Sequence, residues 1–401
     1  MRNGKKVIVI KIGSSTLVNE QGKLDRAYFD GLAAQVHALR QMGWSPLIVS
    51  SAAIACGLEA LGIEERPTDM PSLQAAASVG QNALMATYAE AFSRYDVLTS
   101  CVLITRHSTA QRNAYLHARD TLERLIDFDV VPIINENDTV SVEQIRFGDN
   151  DTLAALVSCL VQADMCVIFS DIEGLYTANP TIDPTATLIP LVERITPELM
   201  ASAGGVTSKV GSGGMITKIR AARVLMLAGI PMVICHGRRQ GSLIQLAHGE
   251  SVGTYFVARN KAHDISPRKL WIALGDTAKG VLVVDDGAKR ALVDTGSSLL
   301  SVGITSVEGS FFRGDIVDIK DQEGHLFARG RVNAPSSEVS LGTEYPGDSS
   351  IVSFSFALTI ESFSSFVASA IRASSCSGVE TYPRFILLKV LPIIPSPVVS
   401  S

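Results

Sequence analysis

Two lysines, each beside a turn of small residues, are the side chains of this sequence best suited to binding an anion. Lys11 is the one polar residue in the apolar run at residues 7–12, and a Gly-Ser-Ser turn follows this run directly. Lys218 ends the segment GSGGMITK at residues 211–218 and leads into a helical pattern. A buried ammonium group without a partner is costly, and glycine-rich turns present backbone N–H groups to anions, so the two segments together predict a phosphate site. Taken singly, Lys11 could also lie at a sheet edge, and Lys218 in a flexible loop.

Carboxylate and amide side chains form a second group of candidates. The segment GDND at residues 148–151 opens a predicted helix, and NENDT at residues 135–139 follows a predicted strand. One Asp or Asn is expected as a helix N-cap, but three in a row exceed what capping requires. Acidic groups near the two lysines would orient the ammonium groups or hold Mg²⁺ through water. No set of regularly spaced carboxylates predicts a metal cage, so we predict no protein metal site and expect Mg²⁺ to arrive with a nucleotide.

Several common active-site motifs are absent from the sequence. It contains no GxxxxGK[ST] loop, no GxGxxG after the first predicted strand and no GxSxG. The histidines form no HxxxH pair. Two lysines, two glycine-rich turns and no evident general base suit phosphoryl transfer, which depends mainly on positioning and charge neutralisation. An acceptor that is already anionic, such as a carboxylate, needs no base.

Alternating strand and helix patterns must position these residues. Helical periods separate five apolar runs that predict strands, at residues 7–12, 46–49, 130–134, 165–169 and 231–234. This alternation predicts an open three-layer αβα sandwich with a mostly parallel sheet over residues 1–260. Ligands of such sheets bind beyond the carboxyl ends of the strands. The residues at these ends are Lys11, Ser51, Asn135, Ser170 and Asp171.

The C-terminal part of the chain has a different texture. After a polar linker at residues 261–274, strand-like runs between Gly and Asp turns predict a small all-β barrel-like module at residues 275–345. These runs are GVLVVD, RALVD, GDIVDIKD and HLFARGRV. From residue 335 onwards only 8 of 67 residues are charged, against 19% of the whole chain. We therefore predict that residues 346–401 are a divergent serine-rich tail or the product of an altered reading frame. In either case the β module would be incomplete.

Composition bounds the class of protein. With 401 residues, 46% of them apolar, and a net charge of −5, the chain is typical of a soluble globular protein of two or three domains. The six cysteines form no CxxC pair, which argues against a zinc site or a disulfide framework and favours a reducing compartment. We recognise no signal peptide and no membrane-spanning run, so a cytoplasmic location is predicted.

Six motifs, taken in this order and spacing, resemble the glutamate 5-kinase family of the amino acid kinase superfamily. They are KIGSS, VSSAAIACG, VPIINENDTV, FGDNDTLAALV, SDIEGLYTANP and GSGGMITKIRAA. The region from about residue 275 resembles the PUA domain that follows the kinase domain in many bacterial members. The resemblance implies ATP-dependent phosphorylation of the γ-carboxylate of L-glutamate to L-glutamyl 5-phosphate, the first step of proline biosynthesis. It also implies a homo-oligomer, a dimer or a tetramer, and proline as a feedback inhibitor.

The resemblance assigns roles to individual residues. Lys11 and Lys218 would neutralise the transferring phosphoryl group, and Asp151 would hold their ammonium groups in place. The glutamate contacts would be Ser51, Asp138 and Asn150. The ATP contacts would be Lys11, Ser170, Asp171, Ser212, Gly213, Gly214, Met215, Ile216, Thr217 and Lys218, with Mg²⁺ bridging the nucleotide phosphates.

One residue departs from the family pattern, and two alternative functions stay open. Ala52 stands where the family usually has glycine, which would cost affinity or rate if the backbone there needs a positive φ, and would be harmless otherwise. Another acceptor within the superfamily, such as acetylglutamate or uridylate, is disfavoured by the PUA-like region and the NEND and GDND motifs. RNA binding through the PUA-like module is disfavoured by a net charge of −2 over residues 267–345, so nucleic acid is not an expected partner.

Overall fold

The strand and helix patterns fold into two β-sheets in the computed structural model of the chain. It describes residues 4–19, 21–105, 112–140, 150–196, 199–200, 214–258, 278–294, 299–344 and 355–358. The candidate residues within these ranges lie on strands of the first sheet or on the loops and helices between them, and three of the four runs of the predicted β module lie in the second sheet.

Eight strands form the first sheet. They are β1 Lys6–Ile12, β2 Trp44–Ser50, β3 Thr99–Ile104, β4 Val131–Glu136, β5 Met165–Ser170, β6 Leu191–Val192, β7 Met232–His236 and β8 Thr254–Phe256. Their order is β3-β4-β2-β1-β5-β7-β8-β6, and β8 is antiparallel to β7 whereas the other neighbours are parallel. The predicted mostly parallel sheet is confirmed. Sequence patterns missed β3, an edge strand whose partly exposed side chains weaken its apolar signal.

Eight helices accompany this sheet in the described ranges. They are α1 Ser14–Leu17, α2 Arg26–Gln41, α3 Ala53–Ala60, α4 Met70–Ser93, α5 Arg112–Asp127, α6 Asn150–Leu160, α7 Met215–Leu227 and α8 Ser242–Ala247. None of the helices in the described parts of the chain combines the length and the apolar composition needed to cross a membrane.

Side-chain alternation along the strands divides the helices between two apolar cores. Val7 and Val9 of β1 pack in a core with α5, α6 and α7. Ile8 and Ile10 pack in the other core, with α2, α3, α4 and α8. Because successive strand residues point to opposite faces of a sheet, these two cores lie on the two faces, and the predicted three-layer sandwich is confirmed.

The second sheet has five strands and is accompanied by two α-helices. The strands are β9 Gly280–Val284, β10 Ile304–Gly309, β11 Ile316–Lys320, β12 Leu326–Arg331 and β13 Ser355–Leu358, in the order β10-β9-β11-β12-β13. The helices are α9 Asp286–Asp294 and α10 Ser336–Glu344. The predicted small β-sheet module is therefore confirmed, with two helices added to it.

One predicted strand of this module is wrong. The run RALVD at residues 290–294 forms the end of α9. The Asp285 carboxylate accepts a hydrogen bond from the Ala288 backbone N–H at 2.7 Å, and Leu292, one helical turn further on, is buried in the core. A five-residue apolar run has no periodicity long enough to distinguish a strand from a helix, so the preceding cap decides.

Candidate active site

Strand β1 places Lys11 inside the molecule. Lys11 is 6% exposed and lies between two strands, opposite Val49 of β2 and Ile168 of β5. Alternation along β1 puts its side chain on the same face as Val7 and Val9, which is the face covered by α6 and α7. The alternative that Lys11 lies at a sheet edge is therefore wrong.

Asp151 in the first turn of α6 joins the two candidate lysines. Its carboxylate is fully buried, with Oδ1 2.8 Å from Lys11 Nζ and Oδ2 3.1 Å from Lys218 Nζ. Burial alone would raise the pKa of Asp151, but the charges of the two lysines, with hydrogen bonds from Lys11 and Thr217, hold this pKa well below its usual range. The carboxylate is therefore ionised at any pH near neutrality.

The N-terminus of α7 supplies the second lysine. Gly214 is the N-cap residue, and Lys218, 5% exposed, lies one turn into the helix. The Thr217 hydroxyl lies 2.8 Å from Asp151 Oδ2. Lys218 is a buried, ion-paired residue of a helix, so its interpretation as a chance lysine in a flexible loop is wrong.

We call Lys11, Asp151, Thr217 and Lys218 the charged cluster. Two ammonium groups and one carboxylate give it a net charge of +1 in a site from which water is largely excluded. The positive end of the α7 dipole lies at the same place and opposes two cations there. An anion bound beside the lysines would balance both effects, because charge interactions are strong in a low-dielectric environment.

Asn150, the residue before Asp151, belongs to a neutral network. Its Nδ2 lies 2.9 Å from Ser50 O, 2.9 Å from Ser51 Oγ and 3.1 Å from Asn135 Oδ1, so its two hydrogens are shared among three acceptors. These acceptors lie at the carboxyl ends of β2 and β4, so Asn150 connects the start of α6 to both strands. We call Asn150, Asn135, Ser51 and Gln81, the last of which bonds Asn135, the amide cluster.

Asp138 follows the carboxyl end of β4 and is half-buried. Burial raises the pKa of Asp138 to about 7, and the nearby carboxylate of Glu136 adds to this rise. A carboxyl group with this pKa releases its proton to water when a cation binds beside it, because the positive charge stabilises the carboxylate.

The remaining candidates lie at the ends of β5 and α7 or outside the described residues. Ser170 ends β5, and its hydroxyl donates to Asp171 Oδ1 at 3.0 Å. Met215 and Ile216 lie in the first turn of α7 and are half-buried. Ser212 and Gly213 lie outside the described residues.

Sequence reasoning left two members of the amide cluster without a role. It singled out Asn135 only as a strand end, and it did not single out Gln81, which lies in α4 among small and apolar residues. One polar residue on the buried face of a helix was the available signal, although such residues are often satisfied core residues without a function.

Within the described ranges, the one group of three side chains that could hold a metal ion lies in the turn between β11 and β12. It consists of Asp321, Glu323 and His325. Asp321 Oδ2 already pairs with Lys289 Nζ at 2.7 Å. This group is remote in sequence from the charged and amide clusters.

Comparison with known proteins identifies the family. The model of the amino acid kinase family matches residues 6–236, and that of the PUA domain matches residues 280–344. The glutamate 5-kinase of Citrifermentans bemidjiense is 46% identical over 334 residues, which cover 83% of this chain and 89% of that protein. Those of Myxococcus xanthus and Moorella thermoacetica are 45% and 44% identical, covering 84% and 83% of this chain and 89% and 88% of the relatives. The chain therefore belongs to the amino acid kinase family and carries a PUA domain after its kinase domain.

Proposed function

We propose that the chain transfers the γ-phosphoryl group of MgATP to the side-chain carboxylate of L-glutamate. A carboxylate oxygen forms a bond to the γ-phosphorus, the bond from that phosphorus to the β–γ bridging oxygen breaks, and ADP leaves with the electron pair. The product is L-glutamyl 5-phosphate, the first intermediate of proline biosynthesis. The names of the relatives support the acceptor, and the charged cluster supports the reaction type.

The observation that carries the proposal is the buried pair of lysines on one carboxylate. In this proposal Lys11 and Lys218 neutralise charge on the transferring phosphoryl group, and Asp151 and Thr217 fix the position of the lysines. A carboxylate acceptor is ionised at neutral pH, so the reaction needs no general base.

The substrates would occupy the carboxyl edge of the sheet on either side of the charged cluster. L-Glutamate would contact Ser51, Asn150 and Asp138, with its ammonium group beside the Asp138 carboxylate. ATP would contact Ser170, Asp171 and residues 212–218. Mg²⁺ prefers oxygen ligands and keeps several waters, and Asp151 is committed to two lysines, so the residues fit a Mg²⁺ ion that binds as part of MgATP.

Glutamate-dependent ADP formation by the purified protein tests the proposal. We expect turnover with L-glutamate, and a loss of about 10²–10³-fold in kcat for Lys218→Ala, as for removal of one transition-state donor. Lys23→Ala is the matched control, because the Lys23 side chain is 64% exposed. Well-folded protein without turnover, or full activity of Lys218→Ala, would overturn the proposal. Turnover with N-acetylglutamate or UMP in place of glutamate would support the alternative acceptors.

Further expectations about partners and location belong to the same proposal. Oligomerisation and proline inhibition derive from the family resemblance, whereas the location and the lack of a nucleic-acid partner derive from composition and charge. We propose that the chain forms a homo-oligomer, that proline inhibits it and that it acts in the cytoplasm without a nucleic-acid partner. Light scattering tests oligomerisation, and titration of the ADP assay with proline tests inhibition. Filter binding to tRNA tests the lack of a nucleic-acid partner.

A further inference from the structure

Helix α4 carries two buried polar side chains on one face. Gln81 and Tyr88 are seven residues apart, which places them two turns apart on the same side of the helix. The Tyr88 hydroxyl lies 2.9 Å from Ser50 Oγ at the end of β2. Gln81 Oε1 accepts a hydrogen bond from Asn135 Nδ2 at 3.0 Å at the end of β4. This face of α4 therefore bonds to the carboxyl ends of the two strands to which Asn150 also bonds.

Gln81 and the Glu136 backbone N–H together set which way the amide of Asn135 faces. Because Gln81 Oε1 is an acceptor, Asn135 must turn its NH₂ group toward Gln81 and its Oδ1 the other way. Asn135 Oδ1 then accepts from Asn150 Nδ2 at 3.1 Å and from the Glu136 backbone N–H at 2.9 Å. A flipped Asn135 amide would oppose NH₂ to NH₂ at Asn150, so the orientation of Asn135 and the Ser50 carbonyl together hold that of Asn150.

Gln81 itself is held by its neighbours. Its Nε2 donates to Cys101 Sγ of β3 at 3.6 Å, which leaves Oε1 directed at Asn135. The backbone before Gln81 is held by contact between helices, because a Cβ added at Gly80 would lie 1.8 Å from Ala53 O of α3. A Cβ at Gly57 would likewise lie 1.7 Å from Ala76 O. The two glycines thus let α4 and α3 touch through their backbones. This contact holds the backbone position of Gln81.

We propose that Gln81 is a positioning residue for the acceptor site, acting through Asn135 to hold the Asn150 amide in its binding orientation. This inference rests on the proposed function, because it takes Asn150 as an acceptor contact. Gln81 is nine-tenths buried, and Asn135 lies between it and Asn150. Its effect should therefore appear in acceptor binding and not in nucleotide binding.

The Gln81→Leu variant tests this role. It keeps a side chain of similar size and removes the acceptor for Asn135 Nδ2, which leaves a buried donor unsatisfied. We expect the KM for glutamate to rise about tenfold or more, and the KM for ATP to stay within about twofold of the wild-type value. Gln81→Glu keeps an acceptor oxygen and should lie closer to the wild type.

Thr87→Val is the matched control on the same helix. Thr87 is buried, and among the described residues its hydroxyl bonds only Ala83 O within α4, so this variant perturbs helix stability but not the amide cluster. We expect it to leave both KM values unchanged. Equal rises of both KM values in Gln81→Leu, or no rise in either, would overturn the proposal.

A double-mutant cycle with Asn135→Ala separates a relay from a local packing defect. If Gln81 acts through Asn135, Gln81→Leu should change the KM for the acceptor less than twofold once Asn135 is alanine. Additive effects of the two changes would contradict the relay. Direct glutamate binding by calorimetry gives the same comparison for variants that turn over too slowly. Absence of glutamate turnover in the wild type would refute the proposed function, whereas additivity with an active wild type would refute the Gln81 relay alone.

Discussion

The charged cluster and the amide cluster meet at two adjacent residues, Asp151 and Asn150, yet they are built differently. The charged cluster combines three ionised groups and one hydroxyl, and its geometry follows from attraction between opposite charges. The amide cluster is neutral, and each amide must face the right way for its partner to be satisfied. Attraction between charges makes the interactions of the charged cluster strong. The direction of the hydrogen bonds makes the orientation of each amide in the amide cluster specific.

The largest effect should come from Asp151→Asn. This change removes the negative charge between two buried ammonium groups, so we expect kcat to fall at least about 10³-fold. The free energy of unfolding should fall by about 3–5 kcal/mol, because breaking a buried ion pair leaves an uncompensated charge. Enzyme assays measure kcat, and urea denaturation measures the free energy of unfolding. Asp127→Asn, at a largely exposed pair with Arg124, is the control and should change stability by less than about 1 kcal/mol.

The anion-binding character of the charged cluster gives this prediction a second readout. In Asp151→Asn the cluster carries two positive charges. Added sulfate should therefore raise the melting temperature of this variant more than that of the wild-type protein. An unchanged response to sulfate, together with wild-type activity, would contradict our account of the cluster.

Thr217→Val should have the next largest effect. Its hydroxyl hydrogen bond to the ionised Asp151 is charge-assisted, and such bonds contribute about 1.5–3 kcal/mol. We expect kcat to fall about 10–100-fold, with the KM for glutamate little changed. Thr217→Ser keeps the hydroxyl and should keep most of the activity. Equal losses in both variants would show that the methyl group, not the hydroxyl, matters.

Asp138 should give the acceptor site a pH dependence that the charged cluster lacks. Because its pKa is about 7, Asp138 is protonated in more acidic solution, and the KM for glutamate should rise up to about tenfold per pH unit below that pH. The γ-carboxylate of glutamate, with a pKa of about 4.3, does not titrate in this range. Asp138→Asn should show a high KM that does not vary between pH 6 and 8, as initial-rate kinetics would measure.

The same raised pKa affects stability with a defined sign. Between the ordinary pKa of 3.8 and about 7, the folded protein keeps a proton that the unfolded chain releases. The contribution of Asp138 to the free energy of unfolding is therefore complete at low pH and is lost as pH rises through this window. Asp151, whose pKa is lowered, acts in the opposite sense. Its contribution to the free energy of unfolding is lost as pH falls below the ordinary Asp pKa of 3.8. A pH-independent difference between the wild type and Asp138→Asn would contradict this assignment.

The smallest effect should come from Ala52→Gly, next to Ser51 of the amide cluster. Ala52 has a φ of +78°, in the left-handed region that costs a non-glycine residue about 1 kcal/mol or more. Its methyl group is buried, so glycine relieves the strain but loses part of the gain in apolar burial. We expect a net stabilisation of about 0.5 kcal/mol in urea denaturation. Ala53→Gly, one residue into α3, is the control and should destabilise by about 1 kcal/mol.

Sequence patterns predicted most of the large sheet because its central strands are apolar at nearly every position. They missed β3, which lies at the sheet edge, and they assigned residues 290–294 to a strand although Asp285 caps a helix there. Exposed edges and very short runs carry weak periodicity, so local sequence cannot decide them. Ala52 could be marked as a departure, but its positive φ became known only from the backbone of the folded chain.

The sequence by itself determined that the two lysines need a carboxylate or another anion as a partner, since charges within apolar or glycine-rich segments are costly when unpaired. The family resemblance assigned this role to Asp151, and only the tertiary structure brings residues 11, 151 and 218 together, because β1, α6 and α7 pack on one face of the sheet. The tertiary structure also decided the place of Gln81. A neutral amide attracts no notice in a sequence, and its function depends on the direction of a hydrogen bond between elements distant along the chain.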